Sequence, residues 1–317
     1  MNGLGMLGKM PSALRVKAAI ILFVAGTVTA SPALAHRTRQ YTDPSLDAAL
    51  VADAQTGRVL FARNEAAERH PASLTKMMTL YILFDELRAH RLTLQSEISV
   101  SAHAALQPAA HLRLKEGQTL SVETAIKAIV VCSANDVAVA VAEAVGGNEA
   151  QFVDMMNVEA HTLGMTHTFY RNASGLPDNL QVTTADDLVV LARHLIYDFP
   201  EYFPYFRTPS MTWQGHDYNT HDYLIGNYPG VDGLKTGYTD SSGYNLVTTA
   251  VRNNTRLIAV VMGGISRERR DEAMIRLLDD AFTQVNTVAR SDVMHSDVDS
   301  LALPTATSRA SDAQSPP

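Results

Sequence analysis

The 317 residues, 46% hydrophobic and 19% charged, suffice for one large domain or two small ones with a real core, and they exclude a disordered chain. A formal net charge of −7 argues against nucleic acid as a partner. Cys132 is the only cysteine, so an intrachain disulfide is excluded and stability must come from the core.

Residues 1–35 read as an export signal. Lys9, Arg15 and Lys17 make a basic start, Ala18 to Ala30 is apolar, and Ala33-Leu34-Ala35 offers small residues to a signal peptidase. Cleavage is expected after Ala35, leaving a periplasmic or extracellular protein. The apolar run is shorter than the roughly 20 residues a membrane span needs. No cysteine follows the site to carry a lipid. Cleavage removes basic residues only, so the mature chain is more acidic still.

Residues 36–44 are expected to be a flexible start. Asp47–Ala54 and Arg58–Ala62 read as short strands joined by Gln55-Thr56-Gly57. After Pro71, Leu74, Met77, Met78, Tyr81, Phe84 and Leu87 recur at helical spacing on a helix apolar over most of its surface, hence buried. Ser121 is a good N-cap for a helix whose apolar face is Val122, Ala125, Ile126, Ile129 and Val130. Ser133-Ala134-Asn135-Asp136 interrupts the pattern. A second helix then runs from about Val137 to Val145 and stops at Gly146-Gly147. Further helices are expected near Glu149–Leu163 and Thr184–Tyr197.

Beyond Pro209 the residues become β-branched and aromatic. Val231–Tyr238, Tyr244–Arg252 and Leu257–Met262 read as a hairpin meander, followed by an amphipathic helix over about Glu268–Val285. The predicted architecture is α+β: an antiparallel sheet built from both ends of the chain and flanked by helices, with an all-helical subdomain inserted at roughly 95–200. One catalytic domain is expected over 36–289, and a disordered polar tail over 290–317.

Three short motifs carry chemistry. In Ser73-Leu74-Thr75-Lys76 the first and last residues share a helix face, with Cβ atoms about 5–6 Å apart, so the amine can reach the hydroxyl. A serine becomes a good nucleophile once a base takes its proton, and a lysine serves only with a lowered pKa. Lysine is scarce here. Beyond residue 35 it stands only at positions 76, 115, 127 and 235, and arginine supplies the remaining basic residues. Arginine cannot act as such a base. Ser133-Ala134-Asn135 lies in a break between helices. There Ser133 can relay a proton and Asn135 can hold a substrate amide, although the same residues also cap helices. Lys235-Thr236-Gly237 lies on an expected strand. Lys235 adds a cation that depresses the pKa of Lys76 and attracts a substrate carboxylate. Thr236 can bond that carboxylate, and Gly237 leaves room for close approach. The amides of Tyr238 and Ser73 can form an oxyanion hole.

The ordered set S-x-x-K, S-x-N, K-T-G resembles that of β-lactamases and penicillin-binding proteins. From about Asp47 to Val285 the chain resembles the low-molecular-mass D-alanyl-D-alanine carboxypeptidases, serine peptidases that act on peptidoglycan stem peptides. Leu163-Gly164-Met165-Thr166, Asn172 to Pro177, Gly230 to Thr239, Gly243 to Leu246 and Met262-Gly263-Gly264 carry this further likeness. The resemblance implies a β-lactamase/transpeptidase-like fold, Ser73 as acylated nucleophile, Lys76 as general base, and Ser133 helping to protonate the leaving D-alanine. It implies that Arg270, rather than its neighbours Arg267 and Arg269, binds the terminal carboxylate. It further implies stem peptides ending in D-Ala-D-Ala as substrates, β-lactams as covalent inhibitors, and no cofactor or metal. Longer relatives add a β-rich domain and an amphipathic anchor, whereas this sequence passes into a polar tail, so a soluble exported form without a stable membrane anchor is expected.

Four other readings compete. A class A β-lactamase needs a carboxylate to activate the deacylating water, and no E-x-x-L-N segment lies between Asn135 and Lys235. A metallopeptidase is weakly supported, because the 11 histidines form no H-E-x-x-H and His216 and His221 fall in an expected loop. A non-catalytic sensor of cell-wall peptides or β-lactams leaves Ser73, Lys76 and Lys235 without a role. Cys132 as a thiol nucleophile competes with its reading as a small buried residue at a helix end.

Overall fold

The computed structural model describes residues 47–300, with side chains through 287. The expected leader, the start at 36–44 and the last part of the tail lie outside the described residues.

Both ends of the described chain enter one sheet, as the sequence predicts. The strands β1 (Ala48–Asp53) and β2 (Val59–Arg63) form a hairpin. A 3-10 turn, Ala72–Thr75, leads into α1 (Lys76–Arg88). Then come β3 (Glu97–Ser99), α2 (Ala102–Ala105), β4 (Thr119–Ser121), α3 (Val122–Val131), α4 (Asn135–Gly146), α5 (Glu149–Leu163) and α6 (Ala185–Asp198). A second 3-10 turn, Phe203–Arg207, precedes the hairpin β5 (Ser210–Trp213) and β6 (His216–Asn219). The meander β7 (Val231–Thr239), β8 (Gly243–Arg252) and β9 (Thr255–Gly264) follows, and α7 (Arg267–Ser300) ends the described chain.

The main sheet is antiparallel, in the order β2-β1-β9-β8-β7. β1 is therefore internal, paired along its length with β9. Helix α6 packs on β1 and β9, and α7 on β2, β8 and β9. This cover explains why the inner strands read as nearly unbroken apolar runs. β7 is an edge strand, which leaves one row of its backbone groups outside the sheet.

Helix α1 runs through the core. Met77, Met78, Leu80, Leu83 and Phe84 are all inaccessible to solvent. Phe84 meets Phe199, Tyr202 and Phe206 with ring centroids 5.2–6.1 Å apart. Side chains of this size each contribute about 1.5–3 kcal/mol on burial, which fixes the helix that carries the site.

Three expectations are corrected. The inserted block is not all-helical, because β3 and β4 pair within it. Each is three residues long and buries one apolar residue, Ile98 or Leu120, too little alternation to stand out in the sequence. The stretch with His216 is not a loop but a hairpin. Gln214 (φ 48°) and Gly215 (φ 77°) both adopt left-handed φ, the signature of a tight two-residue hairpin turn. Finally, α7 continues past Val285 to Ser300, into the expected tail, because no glycine or proline interrupts residues 265–303. Among the described residues no helix is long and apolar enough to cross a membrane.

Candidate active site

A cleft of about 620 Å³ opens between the β7 edge and the helical block. Six residues singled out from three separate motifs line it: Ser73, Ser133, Asn135, Thr236, Gly237 and Tyr238. Arg270 lines it too. The two lysine amines lie beneath this surface, since Lys76 and Lys235 are only 0% and 2% exposed.

Ser73 sits on the 3-10 turn rather than on α1 itself, and Lys76 is the first residue of α1. Ala72, just before the nucleophile, has φ 49°. For a residue with a Cβ that conformation costs on the order of 1–3 kcal/mol and must be imposed from outside. Two contacts impose it. A Cβ on Gly175 would fall 1.9 Å from the Ala72 carbonyl oxygen, so only glycine lets the 172–177 loop lie against this turn. A Cβ on Gly237 would stand 3.0 Å from the Ser73 nitrogen, so β7 packs its backbone directly against the nucleophile. This approach brings the Gly237 backbone, one residue before the Tyr238 amide, against the Ser73 nitrogen. Asn245 on β8 completes the clamp. Its Nδ2 donates to the carbonyls of His70 (3.1 Å) and Pro71 (3.2 Å), and its Oδ1 accepts from the Gly263 amide at 2.9 Å.

Lys76 Nζ lies 3.1 Å from Ser73 Oγ. It donates to Asn135 Oδ1 at 2.7 Å and makes a short bond to the Ser174 carbonyl. Every one of these partners is an uncharged oxygen. Burial holds the Lys76 pKa well below the ordinary lysine value and Lys235 lowers it further, while Asp136 opposes both. Asp136 is itself committed: its oxygens accept from the amides of Leu112 and Leu114 at 3.1 Å and Val137 at 2.9 Å. It thereby pins the segment opposite β7 to the start of α4.

Asn135 has a larger structural part than its motif implies. Its Nδ2 donates to the Pro108 carbonyl at 2.9 Å and its Oδ1 accepts from Lys76, which leaves one donor and one acceptor site on the amide for a substrate. Helix α4 begins at Asn135, two residues earlier than its apolar pattern predicts. Ser133 adopts φ 56° in the break between α3 and α4. Its Oγ is buried at the cleft wall and has no hydrogen-bond partner among the described residues, so it is free to meet a substrate atom. Cys132 beside it is buried, and burial foremost pushes its thiol up to about 12, which removes it as a nucleophile.

Lys235 Nζ donates to the Thr236 carbonyl at 3.0 Å. Burial lowers its pKa to about 7; Asp222 raises it, and Arg270 lowers it. The Arg270 guanidinium donates to Asp271 Oδ1 through Nε (2.9 Å) and Nη2 (2.7 Å), and to the Asn245 carbonyl through Nη1 (3.3 Å). These bonds use three of the five donors a guanidinium carries and fix its plane, leaving two for an anion in the cleft. Arg267 also lines the cleft but is exposed, and Arg269 turns to Glu272 instead.

Several contributors escaped sequence reasoning. Asn172 gathers the amides of Ser174, Gly175 and Leu176 onto Oδ1 at 2.7–3.2 Å, shaping the loop whose carbonyl meets Lys76. Asp222 is 3% exposed, with one oxygen accepting from the Leu224 amide at 2.9 Å and the other buried without a hydrogen-bond partner among the described residues. Burial raises its pKa to about 6. His221 borders the cleft; burial and the neighbouring cations lower its pKa to about 4, so it is neutral. Among the described residues no group of three His, Cys, Asp or Glu side chains is placed to hold a metal ion.

Comparison with known proteins follows the same lines. Residues 35–266 match the family model described as D-alanyl-D-alanine carboxypeptidase. The carboxypeptidase DacD of Salmonella typhimurium is 36% identical over 271 residues, covering 81% of this chain and 70% of that protein. DacD of Escherichia coli is 38% identical over 248 residues, covering 75% and 64%. The chain thus spans about two thirds of the length of these relatives. Among solved structures, DacD of Francisella tularensis superposes with a TM-score of 0.74 at 30% identity, over 75% of this chain and 70% of that one. The ampicillin-bound penicillin-binding protein D2 of Listeria monocytogenes gives 0.66 at 30% identity, over 75% and 97%. With its catalytic motifs meeting in one cleft on this fold, the chain belongs to the D-alanyl-D-alanine carboxypeptidase family.

Proposed function

We propose that this protein is a serine-type D-alanyl-D-alanine carboxypeptidase that removes the last D-alanine from peptidoglycan stem peptides through an acyl-enzyme on Ser73. One observation carries the reading: a buried Lys76 amine with uncharged partners lies 3.1 Å from the Ser73 hydroxyl, and a second lysine, Lys235, underlies the same cleft. The amine takes the hydroxyl proton as Ser73 Oγ adds to the carbonyl carbon between the two D-alanines. General-base assistance of this kind is worth about 10²–10⁴ in rate. The amides of Ser73 and Tyr238 receive the developing oxyanion, where one such donor contributes about 3–4 kcal/mol. Thr236, Lys235 and Arg270 hold the substrate's terminal carboxylate. The Ser133 hydroxyl passes a proton to the departing amine nitrogen, the C–N bond breaks, and D-alanine leaves. Water activated by Lys76 then cleaves the ester and restores Ser73.

A β-lactam presents an amide to the same serine, and the ampicillin-bound Listeria relative supports β-lactams as ligands of this site. The basic, apolar and small-residue segments of 1–35 support export with cleavage after Ala35, which mass measurement of the N-terminus, expected at His36, tests directly.

The test of function is twofold. Purified protein should release D-alanine from a pentapeptide ending in D-Ala-D-Ala, and benzylpenicillin should add its full mass to the wild type but not to Ser73→Ala. No D-alanine release, with a stable penicillin adduct, would instead identify a sensor. Rapid sustained penicillin turnover would identify a β-lactamase.

A further inference from the structure

The 172–177 loop brings the Ser174 carbonyl onto Lys76, and its place in the fold depends on side chains outside the cleft lining. Ala173, the residue before that carbonyl, is fully buried and is held through both of its backbone groups. Thr79, one turn beyond Lys76 on α1, donates to the Ala173 carbonyl at 2.7 Å. Glu149, the first residue of α5, accepts the Ala173 amide on Oε1 at 3.0 Å. Its Oε2 meets Nε2 of His103, on α2, at 2.8 Å. Glu149 does not line the cleft, and its side chain is 18% exposed. An acid in the first turn of a helix commonly serves that helix alone. This one also ties α5 to the loop that carries the Ser174 carbonyl.

The place of that carbonyl decides where the base points. A neutral amine has two N–H donors and one lone pair. Of the three oxygens around Lys76 Nζ, Asn135 Oδ1 and the Ser174 carbonyl can only accept, whereas Ser73 Oγ has a proton to give. The two acceptors take the two N–H groups, and the lone pair is left facing the Ser73 hydroxyl. Asn135 is fixed by its own bond to the Pro108 carbonyl. The Ser174 carbonyl depends on its loop. Asn172 bonds the amides of that loop internally, while Thr79 and Glu149 attach it to the helices. Without an acceptor at 149 the buried Ala173 amide would lose its partner, and the chain would shift to find another.

We propose that Glu149 is a positioning residue for acylation: through the Ala173 amide it holds the Ser174 carbonyl on Lys76 and thereby aims the lone pair of the base at Ser73. The proposal rests on the serine mechanism given above. The role requires an oxygen that reaches Ala173 and does not require its charge, because a main-chain amide bonds to a neutral carboxamide oxygen at the same distance.

Reach and charge are separable at this position. Glu149→Gln keeps the reach and drops the charge. Glu149→Asp keeps the charge and an acid at the start of α5, but stops one methylene short of Ala173. The readout is the limiting first-order rate of Ser73 acylation by benzylpenicillin, followed by intact mass, which counts only folded molecules. It should fall about tenfold in Glu149→Asp and at least as far in Glu149→Ala, and return to within about twofold of wild type in Glu149→Gln. The penicillin concentration giving half the limiting rate should stay unchanged. A hydrogen bond to the ammonium form favours that form, so loss of the carbonyl contact should also move the Lys76 titration, read by 13Cε NMR, to lower pH in Glu149→Asp but not in Glu149→Gln. Slower acylation by an amine that is more readily neutral marks lost aim rather than lost basicity. The reverse order, with Glu149→Asp near wild type and Glu149→Gln slow, overturns the inference, because Glu149 would then act by charge at the start of α5. Equal rates in all three variants and the wild type overturn it too. Either result leaves the serine mechanism standing, whereas a wild type that forms no penicillin adduct refutes that mechanism itself.

Discussion

The two buried lysines beneath the cleft illustrate how surroundings assign different work to one side chain. Lys76, at the start of α1, faces only neutral oxygens from Ser73, Asn135 and Ser174. Nothing in direct contact compensates a positive charge there, and burial with Lys235 nearby drives it toward the free amine. Lys235, on the sheet edge, is equally buried but has the Asp222 carboxylate raising its pKa toward the charged form, and it stays near 7. Each lysine has one carboxylate opposing its burial, but for Lys76 the Lys235 cation outweighs Asp136, whereas for Lys235 the Asp222 carboxylate outweighs the Arg270 cation.

Substituting arginine at each site is the strongest way to break this comparison. Lys76→Arg keeps a long cationic side chain but removes any chance of a neutral amine, and acylation by penicillin should fall by about 10²–10⁴. Near-normal acylation in that variant would mean that Lys76 never acts as a base. Gly175→Ala tests the support beneath the nucleophile. Its Cβ would collide with the Ala72 carbonyl at a position with φ 83°, so the Ser73 turn must shift. Acylation should drop by about 10², the usual result of misplacing a reacting group by an ångström. Lys235→Arg preserves the charge, so a loss of only about tenfold is expected from altered geometry, well short of that in Lys76→Arg.

The pH dependence sharpens the contrast further. Lys235 carries its charge below about 7 and loses it above, so kcat/KM for the free enzyme should decline as pH rises through that value. In Lys235→Arg this alkaline decline should vanish. Asp222→Asn should have the smallest effect. Asp222 is ionised above about 6 and raises the Lys235 pKa, so its neutral replacement should move the alkaline limb to lower pH and lower activity a few-fold at pH 8. A limb that stays in place would show that Asp222 does not govern Lys235.

Much of this arrangement was legible in the sequence because it is written locally. Ser73 and Lys76 are one helical step apart, Ser133 and Asn135 mark a visible break between apolar helices, and Lys235 stands in a chain poor in lysine. The strands β7, β8 and β9 are long and β-branched, so joining them with the first hairpin in one sheet followed from element order. What stayed hidden is written in contacts between distant segments. Asn245 reads as an ordinary strand residue until its amide is seen holding the carbonyls of His70 and Pro71. Asp222 reads as a surface acid in a polar stretch, yet it is buried within electrostatic reach of Lys235. The left-handed backbone at Ala72 and Ser133 leaves no composition signal, because neither is a glycine. Three-residue strands such as β3 and β4 are likewise too short to show a period.

The charge state of Lys76 is the centre of the account, and it can be observed directly. With lysine labelled at 13Cε and the Lys76 signal assigned through Lys76→Arg, an NMR titration of the uninhibited protein follows that amine alone. The account predicts that Lys76 loses its proton well below the ordinary lysine range. A Lys76 signal that remains fully protonated up to pH 10 would contradict it.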